Sequence, residues 1–238
     1  MNLNKAFHLL RQPAHWQALS KGVAASVEHE HLRAICPGLK TVIDIGANKG
    51  QFSLLARHCF PKARIIAFEP LPAAAAKFRS VFSNDSQVTL HPVAVGMTSQ
   101  KTVMHLSARD DSSSLLSIRT LQSEIFPGTQ EIGTLEVRVE PLDRMISTAD
   151  LLEPALLKLD VQGFELSALK GCEGFLPRFE HVYLELSFVE LYEGQALADE
   201  ILLYLRQQNF ELKGIYNLTY DAQGRAVQGD FHLRKRHS

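Results

Sequence analysis

Short apolar runs alternate along this chain with longer segments whose apolar residues recur every three or four positions. Such alternation predicts strands joined by helices in an α/β sheet with helices on both faces. The first clear run is Thr41 to Ile45, TVIDI, which carries an acid at Asp44 and stops at Gly46. Gln51 to Cys59 then has helical spacing, and a second run, Arg64 to Phe68, ends in Glu69, 25 positions after Asp44. Beyond these, strands are expected at 88–95, 101–107, 135–139, 156–161 and 181–187, and helices at 73–82, 165–170 and 196–207. Residues 210–216 and 231–234 read as an antiparallel hairpin about a turn at 221–224. Residues 1–38 have looser helical spacing around Pro13 and are expected to form a helical cap on the sheet edge, with residues 39–238 as one α/β domain.

Strand, glycine turn, helix, strand and terminal acid make half of a nucleotide-binding unit, in which the acid accepts hydrogen bonds from ribose hydroxyls. The turn is Gly46-Ala47-Asn48-Lys49-Gly50, with asparagine where a dinucleotide turn needs its middle glycine. A pyrophosphate is therefore given no close approach to the backbone, which argues against a NAD-dependent oxidoreductase. A phosphate-free adenosyl ligand, S-adenosyl-L-methionine, suits the turn better, with Asp44 near its cationic groups and Glu69 on its ribose.

A second cluster follows in LLKLDVQGFELSALKG, residues 156–171. Lys158 and Asp160 are two apart on a strand and so share a face. A buried lysine requires a partner, and Asp160 and Glu185 are the expected ones. Asp44, Glu69, Asp160 and Glu185 all fall at or near the carboxyl ends of strands, where ligands bind in open α/β sheets. Three further segments invite a reading. The serines at 112–114 belong to a loop able to fold over a cofactor, which makes Ser113 a candidate contact. His29-Glu30-His31 places two imidazoles at i and i+2, which do not share a helix face, so no metal is expected there. No pair of acids has a spacing that demands a cation.

Composition narrows the partners. A formal net charge of −1 provides no field for nucleic acid. The basic end, Arg234 to His237, reads as a solvated tail. Cys36, Cys59 and Cys172 are odd in number, without a C-x-x-C pair, and fit reduced thiols in a cytoplasmic protein. No run reaches the length of a membrane span, and the N-terminus lacks the apolar core of a signal peptide.

Taken in order, VIDIGANKGQFS, AFEP, HPVAVG, SSSLL, KLDVQGFELSALKG and ELSFVELYEGQ resemble the FkbM family of S-adenosylmethionine-dependent methyltransferases over about residues 40–234. The resemblance implies a Rossmann-like class I methyltransferase fold with a seven-stranded, mostly parallel sheet and a reversed C-terminal hairpin. It implies O-methylation of a small-molecule or glycan hydroxyl, on a sugar or a secondary metabolite. Carried over, the cofactor motif falls on Asp44, Gly46, Asn48, Gly50 and Phe52, with Glu69, Pro70, Ser113 and Asp160 completing the cofactor site. Asp160 is the first candidate for base or acceptor holder, followed by Glu185 and Glu165, with Lys158 orienting the carboxylates. Many members carry a glutamate where this chain has Gln162. A non-catalytic protein that binds S-adenosylmethionine is the competing reading. The acceptor and the oligomeric state have no signature in the sequence.

Overall fold

The computed structural model describes residues 18–236. Its strands are β1 (Thr41–Ile45), β2 (Arg64–Phe68), β3 (Val88–His91), β4 (Ala94–Val95), β5 (Gln100–Ser107), β6 (Glu131–Glu140), β7 (Ala155–Leu159), β8 (His181–Ser187), β9 (Phe210–Tyr220) and β10 (Ala226–Lys235). Among the described residues the helices accompanying them include α1 (Leu32–Ile35), α2 (Gln51–Cys59), α3 (Pro72–Val81), α4 (Thr120–Ile125), α5 (Glu165–Gly171) and α6 (Ala198–Gln207). The main sheet has seven strands in the order β3-β2-β1-β7-β8-β10-β9. Its first five are parallel, whereas β10 runs antiparallel to both β8 and β9. The expected sheet and reversed hairpin are both present.

Strands β1 and β7 are buried along their whole length, as central parallel strands covered on both faces must be. Alternate side chains divide between the two faces. Val42 and Leu156 pack with Phe52 and Leu55 of α2, while Ile43 and Leu157 pack with Phe175, Phe179, Ile201 and Leu205 on the other side. Helix α3 opens with Pro72 in its first turn, where a missing N–H breaks no helical bond. Among the described residues no helix is long and apolar enough to cross a membrane.

One expectation needs correction. The run at 88–95 is two strands, because Pro92 has no N–H to continue the ladder; β3 stays in the main sheet and β4 joins a separate three-stranded sheet, β4-β6-β5. Of the expected N-terminal cap, residues 1–17 lie outside the described part, and the described residues lie over one face of the sheet while touching the β9 edge at Tyr216 and Asn217. Ala18, Val23 and Ala25 pack with Leu54 and Phe78 of α2 and α3. Leu32 and Cys36 lie against the α2 face of the sheet.

The chain steps outward from β1 through β2 to β3, then returns to place β7 on the other side of β1. The strand order therefore reverses between β1 and β7, where a crevice opens at the carboxyl ends. Gly46 sits at that reversal with φ +75°, and a Cβ on it would lie 1.9 Å from the Asp160 carbonyl oxygen. Gly46→Ala is thus expected to lower the unfolding free energy by roughly 2–4 kcal/mol. Gly174→Ala, with nothing within 4 Å of its Cβ, should change it by under about 1 kcal/mol in the same urea titration. Equal effects would show that the close approach at Gly46 carries no constraint.

Candidate functional site

A cavity of about 630 Å³ opens at this reversal, within the range of small-molecule sites. It is lined by the β1–α2 turn, the end of β2, the loop after β5, the end of β7, the hairpin, and residues 22–29 of the N-terminal segment. Of the residues picked from sequence, Gly46, Asn48, Phe52, Glu69, Pro70, Ser113, Lys158, Asp160 and Glu185 line it. Asp44, Gly50 and Glu165 do not.

Each of those three has a different task. Asp44 is fully buried; its Oδ2 accepts from Ser53 Oγ at 2.7 Å and its Oδ1 lies 3.0 Å from Lys158 Nζ. It is thus not placed to meet a cationic ligand. Gly50, at φ +97°, caps α2 and leaves room for Phe82, whose ring a Cβ would meet at 2.6 Å. Glu165 Oε1 accepts the N–H groups of Val161 and Gly163, so it ties the β7–α5 turn together. Burial raises its pKa to about 7 against the pull of those backbone bonds.

The lysine's partner also differs from expectation. In the β1–β7 register Lys158 stands opposite Asp44, while in the β7–β8 register it stands opposite Tyr183. Lys158 therefore pairs with Asp44 at 3.0 Å, has Asp160 at 4.0 Å, and donates to the Gly46 carbonyl at 3.1 Å. Glu185 is not its partner. Burial works to strip the Lys158 proton, but Asp44 and then Asp160 outweigh it and raise the pKa.

At the β2 end Glu69 is almost completely buried, accepting the Asn48 N–H at Oε2 and the Leu71 N–H at Oε1, both at 2.8 Å. Asn48, at φ +47°, takes the left-handed conformation that turns its N–H toward this carboxylate. Each Glu69 oxygen keeps capacity for one more donor. Burial raises its pKa to about 7, although the two N–H groups and Lys158 oppose the shift.

At the β7–β8 end Gln162 Nε2 donates to Asp160 Oδ1 at 2.7 Å and to Glu185 Oε2 at 3.2 Å. The Gln162 carbonyl of its side chain accepts from Tyr192 Oη at 2.7 Å. Burial, then the negative charges of Asp160, Asp230 and Glu165, push the Glu185 pKa well above the carboxylate range. The charged form of Glu185 is thus disfavoured by its surroundings. The serine loop is pinned over the cavity by Ser114 Oγ on the Gln162 backbone carbonyl, by Tyr192 Oη on the Ser112 carbonyl, and by an ion pair between Lys49 and Asp110 at 2.6 Å.

A family model described as the methyltransferase FkbM domain matches residues 44–212. The chain belongs to the FkbM methyltransferase family. It is 31% identical over 200 residues to the 2-O-methyltransferase NoeI of Sinorhizobium fredii, covering 81% of this chain and 78% of that protein. It is 25% identical over 179 residues to the hexuronic acid methyltransferase AglP of Haloferax volcanii, covering 70% and 67%. It is also 26% identical over 210 residues to the methyltransferase sdnD of Sordaria araneosa, covering 78% and 79%.

Several residues that this methyltransferase places on the cavity were missed from sequence: His29, Asn217 and Asp230 above all. The reading of His29 and His31 assumed one helix. The chain instead changes from a 3₁₀ turn, Val27–His29, to α1 between them. Both imidazoles reach Tyr183 Oη, from Nδ1 of His29 at 2.9 Å and Nε2 of His31 at 3.3 Å. Asp230 fell one residue outside the expected strand 231–234; an acid beside so apolar a run was the available signal.

A second histidine cluster lies apart from the cavity. His181 Nδ1 is 3.0 Å from His232 Nε2, which is 3.7 Å from Cys36 Sγ, all three buried. Burial lowers both imidazole pKa values to about 4 and raises the thiol to about 12. The trio is a neutral hydrogen-bonded link between the N-terminal segment and the sheet, since all three shifts favour uncharged groups.

The buried Asp44–Lys158 pair yields a direct test. Lys158→Met should cost about 3–5 kcal/mol in urea unfolding, because Asp44 is left charged and alone. Adding Asp44→Asn to that variant should restore much of the loss. A single-variant cost under about 1 kcal/mol would contradict the pairing.

Proposed function

We propose that this methyltransferase transfers the methyl group of S-adenosyl-L-methionine to a hydroxyl of a neutral sugar or of a secondary metabolite. The observation that carries the cofactor reading is the Glu69 carboxylate: buried, at the end of β2, held by two backbone N–H groups, and with one acceptor site left on each oxygen. Two adjacent ribose hydroxyls supply two such donors. The charge of the lining supports the same reading. Among the described residues, Glu28, Glu69, Asp110, Asp111, Asp160 and Asp230 line the cavity against Lys49, Arg109 and Lys158. A sulfonium with an amino acid's ammonium group is favoured in that field, whereas a diphosphate is repelled.

Bound S-adenosylmethionine would supply an electrophilic methyl on sulfur. This chain would hold the adenosyl part by Glu69 and the Gly46–Gly50 turn. Asp160, which keeps Oδ2 clear of Gln162 and is partly exposed, would accept a hydrogen bond from a neighbouring hydroxyl of the acceptor and so aim the reacting oxygen at the methyl carbon. The lid formed by Asp110 to Ser114 would exclude water. The relatives with printed acceptors, a 2-O-methyltransferase and a hexuronic acid methyltransferase, support an oxygen acceptor and a sugar. The acidic row Asp160, Glu185 and Asp230, with no arginine beside it in the cavity lining except Arg109 of the lid, favours a neutral sugar over a uronate.

Glu69→Gln is expected to weaken S-adenosylhomocysteine binding in calorimetry by tenfold or more, with the fold intact by circular dichroism. In the wild type the charged carboxylate prevails above pH about 7, and only that form accepts both ribose donors. Affinity should therefore rise between pH 6 and 8 and lose this dependence in Glu69→Gln. Unchanged affinity in the variant would remove Glu69 from the cofactor site. Methyl transfer to methyl α-D-mannopyranoside, compared with methyl α-D-glucuronoside, tests the neutral acceptor, and preference for the glucuronoside would overturn it.

A further inference from the structure

We infer that His29, held by Asp230, is the base that takes the proton of the acceptor hydroxyl; this rests on the methyl-transfer reading above. Neither residue lies within residues 44–212 matched by the family model. Both line the cavity.

His29 Nδ1 lies 2.9 Å from Tyr183 Oη and 3.3 Å from Asp230 Oδ2. The Tyr183 hydroxyl also hydrogen-bonds Asp230, and Asn217 Nδ2 donates to Asp230 Oδ2 at 2.7 Å. A carboxylate accepts and cannot donate. Asn217 Nδ2 lies 3.4 Å from His29 Nδ1 but makes its shorter bond to Asp230, at 2.7 Å, and the His29 tautomer that lets the ring donate to that carboxylate has its hydrogen on Nδ1. Nε2 is left with a lone pair. The imidazole is seated between Tyr183, edge-on at 5.5 Å, and Phe52 at 5.7 Å. Lys158 is also a neighbour of Phe52, its Nζ 5.2 Å from the ring centre. His29 thus shares one aromatic wall with the strand-end lysine.

Place in the sheet supports the same role. Glu69 ends β2 and Asp230 lies on β10, four strand spacings apart, or about 19 Å. An adenosyl group gripped at β2 leaves the β7 to β10 part of the cavity for the acceptor. In that part both Glu185 oxygens accept from amides, Glu165 serves the backbone, and Asp160 has its Oδ2 given to a neighbouring hydroxyl of the acceptor. Among the described residues there, the His29 imidazole, with Asp230 beside it, is a further group able to take a proton.

The step balances. A lone pair of the acceptor oxygen forms the new O–C bond to the methyl carbon as the C–S bond breaks, its electron pair staying on sulfur, which becomes a neutral thioether. The hydroxyl proton passes to His29 Nε2. One positive charge is lost at sulfur and one gained on the imidazole, where Asp230 faces it. The orienting carboxylate, the base and the substrate hydroxyl stand in the order used by catalytic triads. His31, which is beside His29 and stacked on Tyr216 at 4.0 Å, has its pKa lowered by burial and then by His29.

The test reads the ring nitrogens of His29 by ¹⁵N NMR in the protein saturated with S-adenosylhomocysteine, assigned by loss of the signals in His29→Gln. The expected spectrum shows a protonated Nδ1 and a bare Nε2 at pH 8, and Asp230→Asn should shift it toward a tautomer mixture. In the same proteins, His29→Gln and His29→Ala should bind S-adenosylhomocysteine within threefold of wild type yet lose at least a hundredfold in turnover with methyl α-D-mannopyranoside. Asp230→Asn should lose turnover together with the tautomer. A wild-type Nε2–H tautomer, or turnover in either His29 variant within threefold of wild type, would overturn the assignment. Absence of turnover in the wild type would count against the neutral-sugar reading, while the ring spectra would still decide the tautomer on which His29 depends.

Discussion

The site depends on two strand ends that come closer than side chains normally allow. Gly46 at the end of β1 lies against the backbone of Asp160 at the end of β7, and Lys158 spans the contact by binding both the Asp44 carboxylate and the Gly46 carbonyl. A buried ammonium with one carboxylate at 3.0 Å and a carbonyl at 3.1 Å has its desolvation offset locally. The arrangement holds the crevice at the point where the strand order reverses. It also explains why Asp44 and Lys158 are needed at a ligand site without Asp44 reaching a ligand: they set the positions of Gly46, Asn48 and Asp160, which do line the cavity.

Around that contact, one residue type takes three different parts because its surroundings differ. Glu69 has two N–H donors and an open side, so its carboxyl is raised only to about 7 and remains available to a ligand. Glu165 is closed off by the turn it caps. Glu185, facing other acids with amide donors from Gln162 and Gln228, has its pKa pushed up by burial and by those acids. Solvation and neighbouring charge thus separate the carboxyl groups of a single rim.

Much of this was legible in the chain. The run from Thr41 to Glu69 determines its strand, turn, helix and strand by local pattern, and each stands where expected. The seven-stranded sheet followed from the family resemblance. Lys158 shows what was not legible: its need for a partner followed from burial, but which acid it meets depends on a register between strands more than a hundred residues apart. The same holds for His29. It meets Tyr183 and Asp230, brought to it by β8 and β10, and no local spacing encodes that meeting. Pro92, by contrast, was a visible signal that the run at 88–95 could not be one strand.

The central claim is that the crevice at β1 and β7 grips an adenosyl ribose at Glu69 and turns sulfur toward the β7 to β10 side. A crystal structure with S-adenosylhomocysteine tests it most directly. The ribose hydroxyls should donate to the two Glu69 oxygens, with the sulfur facing Asp160 and His29. A ribose bound elsewhere, or a sulfur directed away from that wall, would contradict it.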